Sequence, residues 1–329
     1  MVVSAGNTVG WRVAADELTA AFARAGAAVE MVSAEPSSPV RTFALTDFVE
    51  ARAARAAAQR GMEAHDPRAI VYCSITAALL WPREGAIFLD SIAAENRPGR
   101  HGIWQRSVER RRLRQSPLVL LWSERGLDAL KGPRPEAVVA PVPVTVMSDT
   151  GGPRDLAAVT YAGDPVKRRL SRVLEAWAQA RREGELLVVA GLHGHARGRV
   201  PRLETQLSAA GVEVAGPLTP AGFRRLLGRA RVLVAAPRIE DYGIAALEAL
   251  AAGCQLVTTP SPGPYPALEL ARELDPRLVG EDLAAAIRVA LDQPSSAYAA
   301  RAARLLEPFS REALDRTVAD AVLPRLLSA

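Results

Sequence analysis

The sequence predicts an α/β protein made of two doubly wound domains, and two observations carry that prediction. Short apolar runs alternate with amphipathic helical stretches from one end of the chain to the other, the pattern of parallel strands joined by crossover helices. The alternation stops once, at Pro141-Val-Pro-Val-Thr-Val-Met-Ser-Asp-Thr-Gly-Gly-Pro153, which is dense in turn formers and has no helical period. A chain of 329 residues is long for one domain and sufficient for two, each with its own core. The expected domains are 1–150 and 151–310.

In the first half, strand-like runs fall at Met1–Ala5, Val29–Val32, Ala69–Tyr72, Ala86–Leu89, Leu118–Trp122 and Ala137–Ala140, with helices starting near Trp11, Asp47 and Ile103. After the linker, strands are expected at Ala158–Ala162, Leu186–Ala190, Val212–Ala215, Val232–Ala235 and Leu256–Thr258. Helices over Arg169–Arg182, Arg202–Ala210, Ala221–Arg229 and Gly243–Ala252 separate them. Five parallel strands with intervening helices complete a doubly wound domain, whose ligands sit beyond the carboxyl ends of the strands. The terminal stretch Arg311–Leu327 is again helical.

Composition narrows the function classes. Hydrophobic residues make up 49% and charged residues 23%, a globular balance, and no apolar run approaches the roughly 18 residues of a membrane span. The start, Met1-Val-Val-Ser-Ala, lacks a basic segment followed by an apolar core, so the sequence reads as cytoplasmic. Cys73 and Cys254 fall in different expected domains and outside any Cys/His cluster, which argues for two buried small hydrophobes rather than a disulfide or zinc site. The net charge of +5 and a pI near 9.7 invite an anionic partner: a sugar nucleotide, a phospholipid surface or nucleic acid. Only two of the basic residues are lysines, so the abundance of arginine reads as compositional and Lys167 stands out.

The most informative run is Pro237-Arg-Ile-Glu240-Asp-Tyr-Gly243-Ile-Ala-Ala-Leu-Glu248-Ala-Leu-Ala-Ala-Gly253. It places two carboxylates eight positions apart around the start of a helix that is apolar except for Glu248, and that is expected to be buried all round. A carboxylate in that setting is costly unless hydrogen-bonded, and a pair of sugar or ribose hydroxyls is a natural partner. Gly243 opens the helix, so a ligand can approach backbone amides that already favour an anion. On the residues alone, complementing the helix dipole (Glu240, Asp241) or reaching water at a domain edge (Glu248) stands as the alternative.

The run resembles the Glu-x7-Glu motif of the retaining GT-B glycosyltransferases of family 4 type, the glycosyl transferases group 1, including the following strand Gln255-Leu-Val-Thr258. The resemblance covers most of the second half firmly and the first half in layout. It implies two Rossmann-like domains facing across a cleft, an N-terminal acceptor domain and a C-terminal nucleotide-sugar domain, with the terminal helix 311–329 crossing back onto the former. It implies that Glu240 holds the donor sugar, Glu248 the ribose hydroxyls, and the amides near Gly243 and Ile244 the phosphates.

Other segments fit less closely. Tyr161-Ala-Gly163-Asp-Pro-Val-Lys167-Arg168-Arg169 follows a strand and opens a helix, so its cations can converge on a diphosphate. It resembles the family's basic segment that holds the leaving diphosphate. The family places arginine directly after the glycine, where this chain has Asp164, and uses a longer spacer before the lysine. Lys167 is the first candidate and Arg168 the second. Ser4-Ala-Gly6-Asn-Thr-Val-Gly10 matches the family's N-terminal glycine loop in position, and Gly10 either meets the ligand or forms a turn. Ala215-Gly-Pro-Leu218 resembles the segment whose backbone contacts the base. Asp90, at a strand end where acceptors bind in the family, is a candidate base or acceptor anchor, as is His101; a cap or exposed loop residue is the other reading of each. His193 and His195 lie in a glycine-rich loop without a third metal ligand nearby. The basic helical stretch Arg106–Arg114 either attracts an anionic lipid surface or phosphorylated acceptor, or forms a solvated face.

Together these imply a retaining glycosyltransferase that moves a sugar from a nucleotide-diphosphate donor to an unidentified, phosphorylated or lipid-linked acceptor. The resemblance implies no metal and no cofactor beyond the sugar nucleotide; the chain also contains no Asp-x-Asp. Peripheral contact with the inner membrane face is compatible with the charge, and specific nucleic-acid binding is not expected. A sugar-nucleotide hydrolase or epimerase of the same fold, and a non-catalytic basic protein binding polyanions or a membrane surface, are the alternatives.

Overall fold

The structure is a computed structural model and describes residues 1–6, 8–35, 40, 42–92, 99–130, 136–146, 153–194, 203–209 and 211–328. The chain divides into two compact units, Met1–Pro143 with Pro308–Ala329, and Val144–Glu307.

The first unit runs β1 (Val2–Ser4), α1 (Val9–Arg24), β2 (Met31–Ser33), α2 (Phe43–His65), β3 (Val71–Cys73), α3 (Ile75–Leu79), β4 (Ala86–Leu89), α4 (Ile103–Gln115), β5 (Val119–Leu121), α5 (Glu124–Ala129) and β6 (Ala137–Val139). Its six strands form one parallel sheet in the order β2-β1-β3-β4-β5-β6. Strands β1, β3, β4 and β5 are buried on both faces, which is why they read as unbroken apolar runs rather than alternating ones. Helix α1 starts two residues before the expected point because the Thr8 hydroxyl accepts from the Trp11 amide at 3.1 Å and so caps the helix at Val9. Gly10 therefore lies inside the first turn of α1. The glycine that turns the chain is Gly6, at φ +71°.

The chain's last helical stretch belongs to this unit. Arg24 forks onto Asp315 at 2.7 Å, Arg311 pairs with Glu17 at 2.8 Å, and Arg325 pairs with Glu136. The expected single helix over Arg311–Leu327 is two helices, Arg311–Thr317 and Leu323–Ser328, joined by a π-helical turn at Val318–Val322. Pro324 explains the interruption. It has no N–H to give to the fourth carbonyl behind it, and the Leu323 amide bonds instead to the carbonyl of Val318, five residues back.

The second unit runs β7 (Leu156–Tyr161), α6 (Leu170–Ala180), β8 (Leu187–Ala190), α7 (Leu203–Leu207), β9 (Val212–Gly216), α8 (Pro220–Arg229), β10 (Ala230–Ala235), α9 (Ile244–Ala251) and β11 (Gln255–Thr258). Three further helices follow, α10 (Pro266–Leu274), α11 (Leu283–Asp292) and α12 (Tyr298–Leu305). All five strands are parallel, in the order β11-β10-β7-β8-β9. Trp177 of α6 fills the core beside them, fully buried, with its indole N–H donating to the Gly211 carbonyl at 2.9 Å. Strand order reverses between β7 and β10, so their carboxyl ends flank the crevice where open α/β sheets take ligands.

Both cysteines are buried and unpaired, and burial pushes the Cys254 thiol up to about 11. Among the described residues no helix is long and apolar enough to cross a membrane.

Candidate active site

The site assembles from the two loops that leave the switch point of the second sheet. The first follows β7. Asp164 Oδ1 accepts from the amides of Val166 at 3.0 Å and Lys167 at 3.1 Å, folding Gly163–Arg169 into a tight turn before α6 starts at Leu170. The aspartate that departs from the family pattern is thus the residue that shapes this turn. Lys167 and Arg168 lie in this turn, ahead of the helix, which starts one residue after the expected Arg169.

The second loop, Ala236–Gly243, follows β10. The Arg238 amide donates to the Lys167 carbonyl at 2.9 Å, tying the loops together. Their side chains then pair across the crevice, Lys167 Nζ with Asp241 Oδ2 at 2.9 Å and Arg168 with Glu240. Glu240 is only 4% exposed, so the guanidinium is what makes its burial tolerable. Its backbone is held as well: the Glu240 amide donates to Pro262 at 3.1 Å, and Gly263, at φ +104°, lies so close to the Glu240 carbonyl that a Cβ would stand 2.3 Å from it. Burial pulls the Arg168 guanidinium below its ordinary value, and the nearby Tyr265, Tyr161 and Asp241 oppose that pull.

Gly243 ends the loop as the N-cap of α9, at φ +80° and without a capping side chain. A Cβ there would stand 2.6 Å from the Tyr265 ring, so both backbone and packing require glycine. The first-turn amides of α9 consequently receive no side-chain cap, which leaves a helix start able to take anionic oxygen. Ile244 and Ala245 are half-buried, and so is Glu248 one turn on. The expectation of a helix buried all round is corrected here: the remaining faces pack into the unit, and these three residues form the strip its neighbours leave open. Glu248 nonetheless pays for its apolar surroundings. Burial raises its carboxyl to about 7, with Arg224 of α8, 3.8 Å away, pulling weakly the other way.

Three residues that sequence reading did not single out complete the site. Tyr161, at the end of β7, packs with its ring tilted against Phe223 at 5.5 Å and lies under the Arg168 guanidinium at 5.9 Å; Gly163 and Gly191 lack the Cβ that would strike its side chain. Tyr265 is buried against Gly243, its hydroxyl 3.2 Å from Thr258 Oγ1. Arg224 approaches Glu248. The two tyrosines close a cavity of about 20 Å³, room for one water, with Thr160, Arg168, Glu240 and Ala246. The sequence offered a signal only for Tyr161, as the aromatic residue ahead of the glycine turn.

The other candidates lie elsewhere. Leu218 is exposed in the same unit, on the loop between β9 and α8. Gly10 and Asp90 belong to the first unit. There Asp90, just past β4, accepts from the Ser91 amide at 2.8 Å, and Gly10 stands in α1. His193 is exposed after β8, while the side chain of His101 and all of His195 lie outside the described residues. Among the described residues no group of three or more His, Cys, Asp or Glu is placed to hold a metal ion.

Residues 153–293, which hold both loops and α9, match the family model of the glycosyl transferases group 1. No curated protein sequence matches the chain. Among solved structures, the chain is similar over 95% of its length to WaaG, a glycosyltransferase of lipopolysaccharide biosynthesis (16% identity, 96% of that chain, TM-score 0.69). It is similar over its whole length to sucrose-phosphate synthase from Thermosynechococcus elongatus (16% identity, 98% of that chain, TM-score 0.72). Over 98% of its length it resembles Anabaena HepE, solved with UDP and glucose (14% identity, 98% of that chain, TM-score 0.71). The chain is thus built of two parallel-sheet α/β units with the fold of the GT-B glycosyltransferases, and it matches the glycosyl transferases group 1 model over residues 153–293.

Proposed function

We propose that the protein is a glycosyltransferase that takes a sugar from a nucleoside-diphosphate donor, with retention of anomeric configuration and without a metal ion. The observation that carries this reading is the convergence at one switch point of two cations, an uncapped helix start and a carboxyl raised to about 7 by burial.

Each part has a role. The diphosphate oxygens accept from the first-turn amides of α9 and draw Lys167 and Arg168 from their carboxylate partners. Glu248, one turn further, accepts from the ribose hydroxyls. Those bonds favour the ionised carboxylate and so replace the solvation that burial removed. Glu240, once Arg168 turns to phosphate, accepts from the donor sugar. As the glycosidic bond breaks, negative charge grows on the departing diphosphate, and cations fixed beforehand stabilise it most at that moment. Two cations and a helix start supply the positive charge for a metal-independent departure. The second unit's sugar-nucleotide site leaves the first unit, with Asp90, as the proposed acceptor side.

Direct detection of a glycosylated acceptor, alongside a control with donor alone, tests the reaction class. Sugar release from donor alone at the same rate would make the protein a hydrolase instead. Turnover should survive chelation by EDTA, and a strict need for magnesium or manganese would overturn the metal-independent mechanism.

A further inference from the structure

We propose that the first turns of α2 and α4 form a membrane-surface anchor that inserts a small apolar tip into an anionic lipid bilayer, with the arginines behind it at headgroup level. This goes beyond the donor reading and rests on the first unit alone. Three of its exposed large hydrophobic side chains, Leu45 (52% exposed), Phe48 (41%) and Ile103 (57%), lie at the starts of these two helices.

The two starts are locked side by side. Phe48 meets Trp104 edge to face at 6.3 Å between centroids, and the buried Gln105 amide donates to the buried Asp47 carboxylate at 3.2 Å. Leu45, Phe48 and Ile103 are therefore set out on a fixed base rather than on loops, and folding gains nothing from leaving them in water.

Helical spacing then determines what lies behind the tip. Over residues 45–59 of α2 the exposed positions run Leu45, Phe48, Arg52, Arg55, Gln59, with Glu63 exposed only a turn further on; on α4 they run Ile103, Ser107, Arg110, Arg111, Arg114. Each stripe begins apolar and turns basic within two turns. The one acidic residue inside the α4 stretch, Glu109, is buried away from that stripe. An apolar end, an amphipathic tryptophan and arginines in sequence match the layers of an anionic bilayer taken outward from the hydrocarbon, and the positive charge selects anionic headgroups. A nucleic acid would use the arginines and leave the apolar tip without a purpose.

The test is co-sedimentation of the full chain with vesicles of equal parts phosphatidylcholine and phosphatidylglycerol, against phosphatidylcholine alone. Binding is expected to the anionic vesicles only. It should weaken about tenfold or more in Leu45→Ser/Ile103→Ser, which spares the Phe48–Trp104 contact, and comparably in Arg110→Gln/Arg111→Gln/Arg114→Gln, with unchanged melting temperatures. Bromine-labelled lipid should quench fluorescence in the wild type more than in Trp104→Phe. No binding to anionic vesicles would overturn the proposal. So would binding that survives the serine variant, or equal binding to neutral vesicles.

Discussion

Glu248 sets the pH behaviour of the site. Its carboxyl is raised by burial to about 7 against an ordinary 4.5, so ionising it in the folded state costs stability that the unfolded chain does not lose. The penalty is absent below about pH 4.5, grows through the window up to 7 and levels off above it at about 3 kcal/mol. Glu248→Gln should therefore match the wild type near pH 4 and exceed it in stability at pH 8, as read by urea unfolding at the two values. Ligand binding runs the other way. If ribose hydroxyls donate to the carboxylate, donor affinity should fall as pH drops below 7, and binding at pH 6.5 should release a proton, measurable by calorimetry in buffers of different ionisation enthalpy. The two cations separate by burial. Arg168→Ala leaves the buried Glu240 charge without its partner and should cost about 3–5 kcal/mol of stability. Lys167 is more exposed than Arg168, so Lys167→Ala, although it takes a cation from the buried Asp241, should cost less stability than Arg168→Ala, while turnover drops about a hundredfold and donor affinity changes less. Normal turnover in Lys167→Ala would place the leaving-group role on Arg168.

At the scale of elements, the loop from β10 into α9 depends on glycines whose need is written in backbone angles. Gly243→Ala would combine a left-handed backbone with a clash at Tyr265, and should lower stability by about 1–3 kcal/mol and abolish donor binding, as judged by unfolding and calorimetry on the same sample. The inner strands of both sheets were legible in the sequence because parallel strands buried on both faces leave plain apolar runs, whereas β2, β6 and β9 are only partly covered. Helix α9 was legible as a helix, but its open strip was not. Ile244 and Ala245 are as apolar as the buried residues around them, so no periodicity marks the side that tertiary neighbours leave uncovered. Helices α10, α11 and α12 were not anticipated. The π-turn before Leu323 traces to Pro324, a residue printed in the sequence whose effect the smooth helical period concealed.

Across the whole molecule, the arginine excess resolves into two populations. Many arginines are fixed in structural pairs, among them Arg24 with Asp315, Arg182 with Asp292, Arg288 with Glu185 and Arg311 with Glu17, which is the compositional share of the basic charge. Others line the α4 stripe and the switch point. Sequence singled out Lys167, Arg168, Glu240, Gly243 and Glu248, which lie together at the switch point of the second sheet, because their spacing around one strand end and one helix start is local. It did not find Tyr265 and Arg224, which reach the site from separate elements and carry no local motif. The central claim is that this switch point binds a sugar nucleotide through Glu248. Its most direct test is a thermal-shift panel of nucleoside diphosphates and their sugars on the wild type and Glu248→Ala. The account predicts that at least one sugar nucleotide raises the wild-type melting temperature and fails to raise that of a folded Glu248→Ala. A chain that no nucleoside diphosphate or its sugar stabilises, or an equal shift in both proteins, would contradict it.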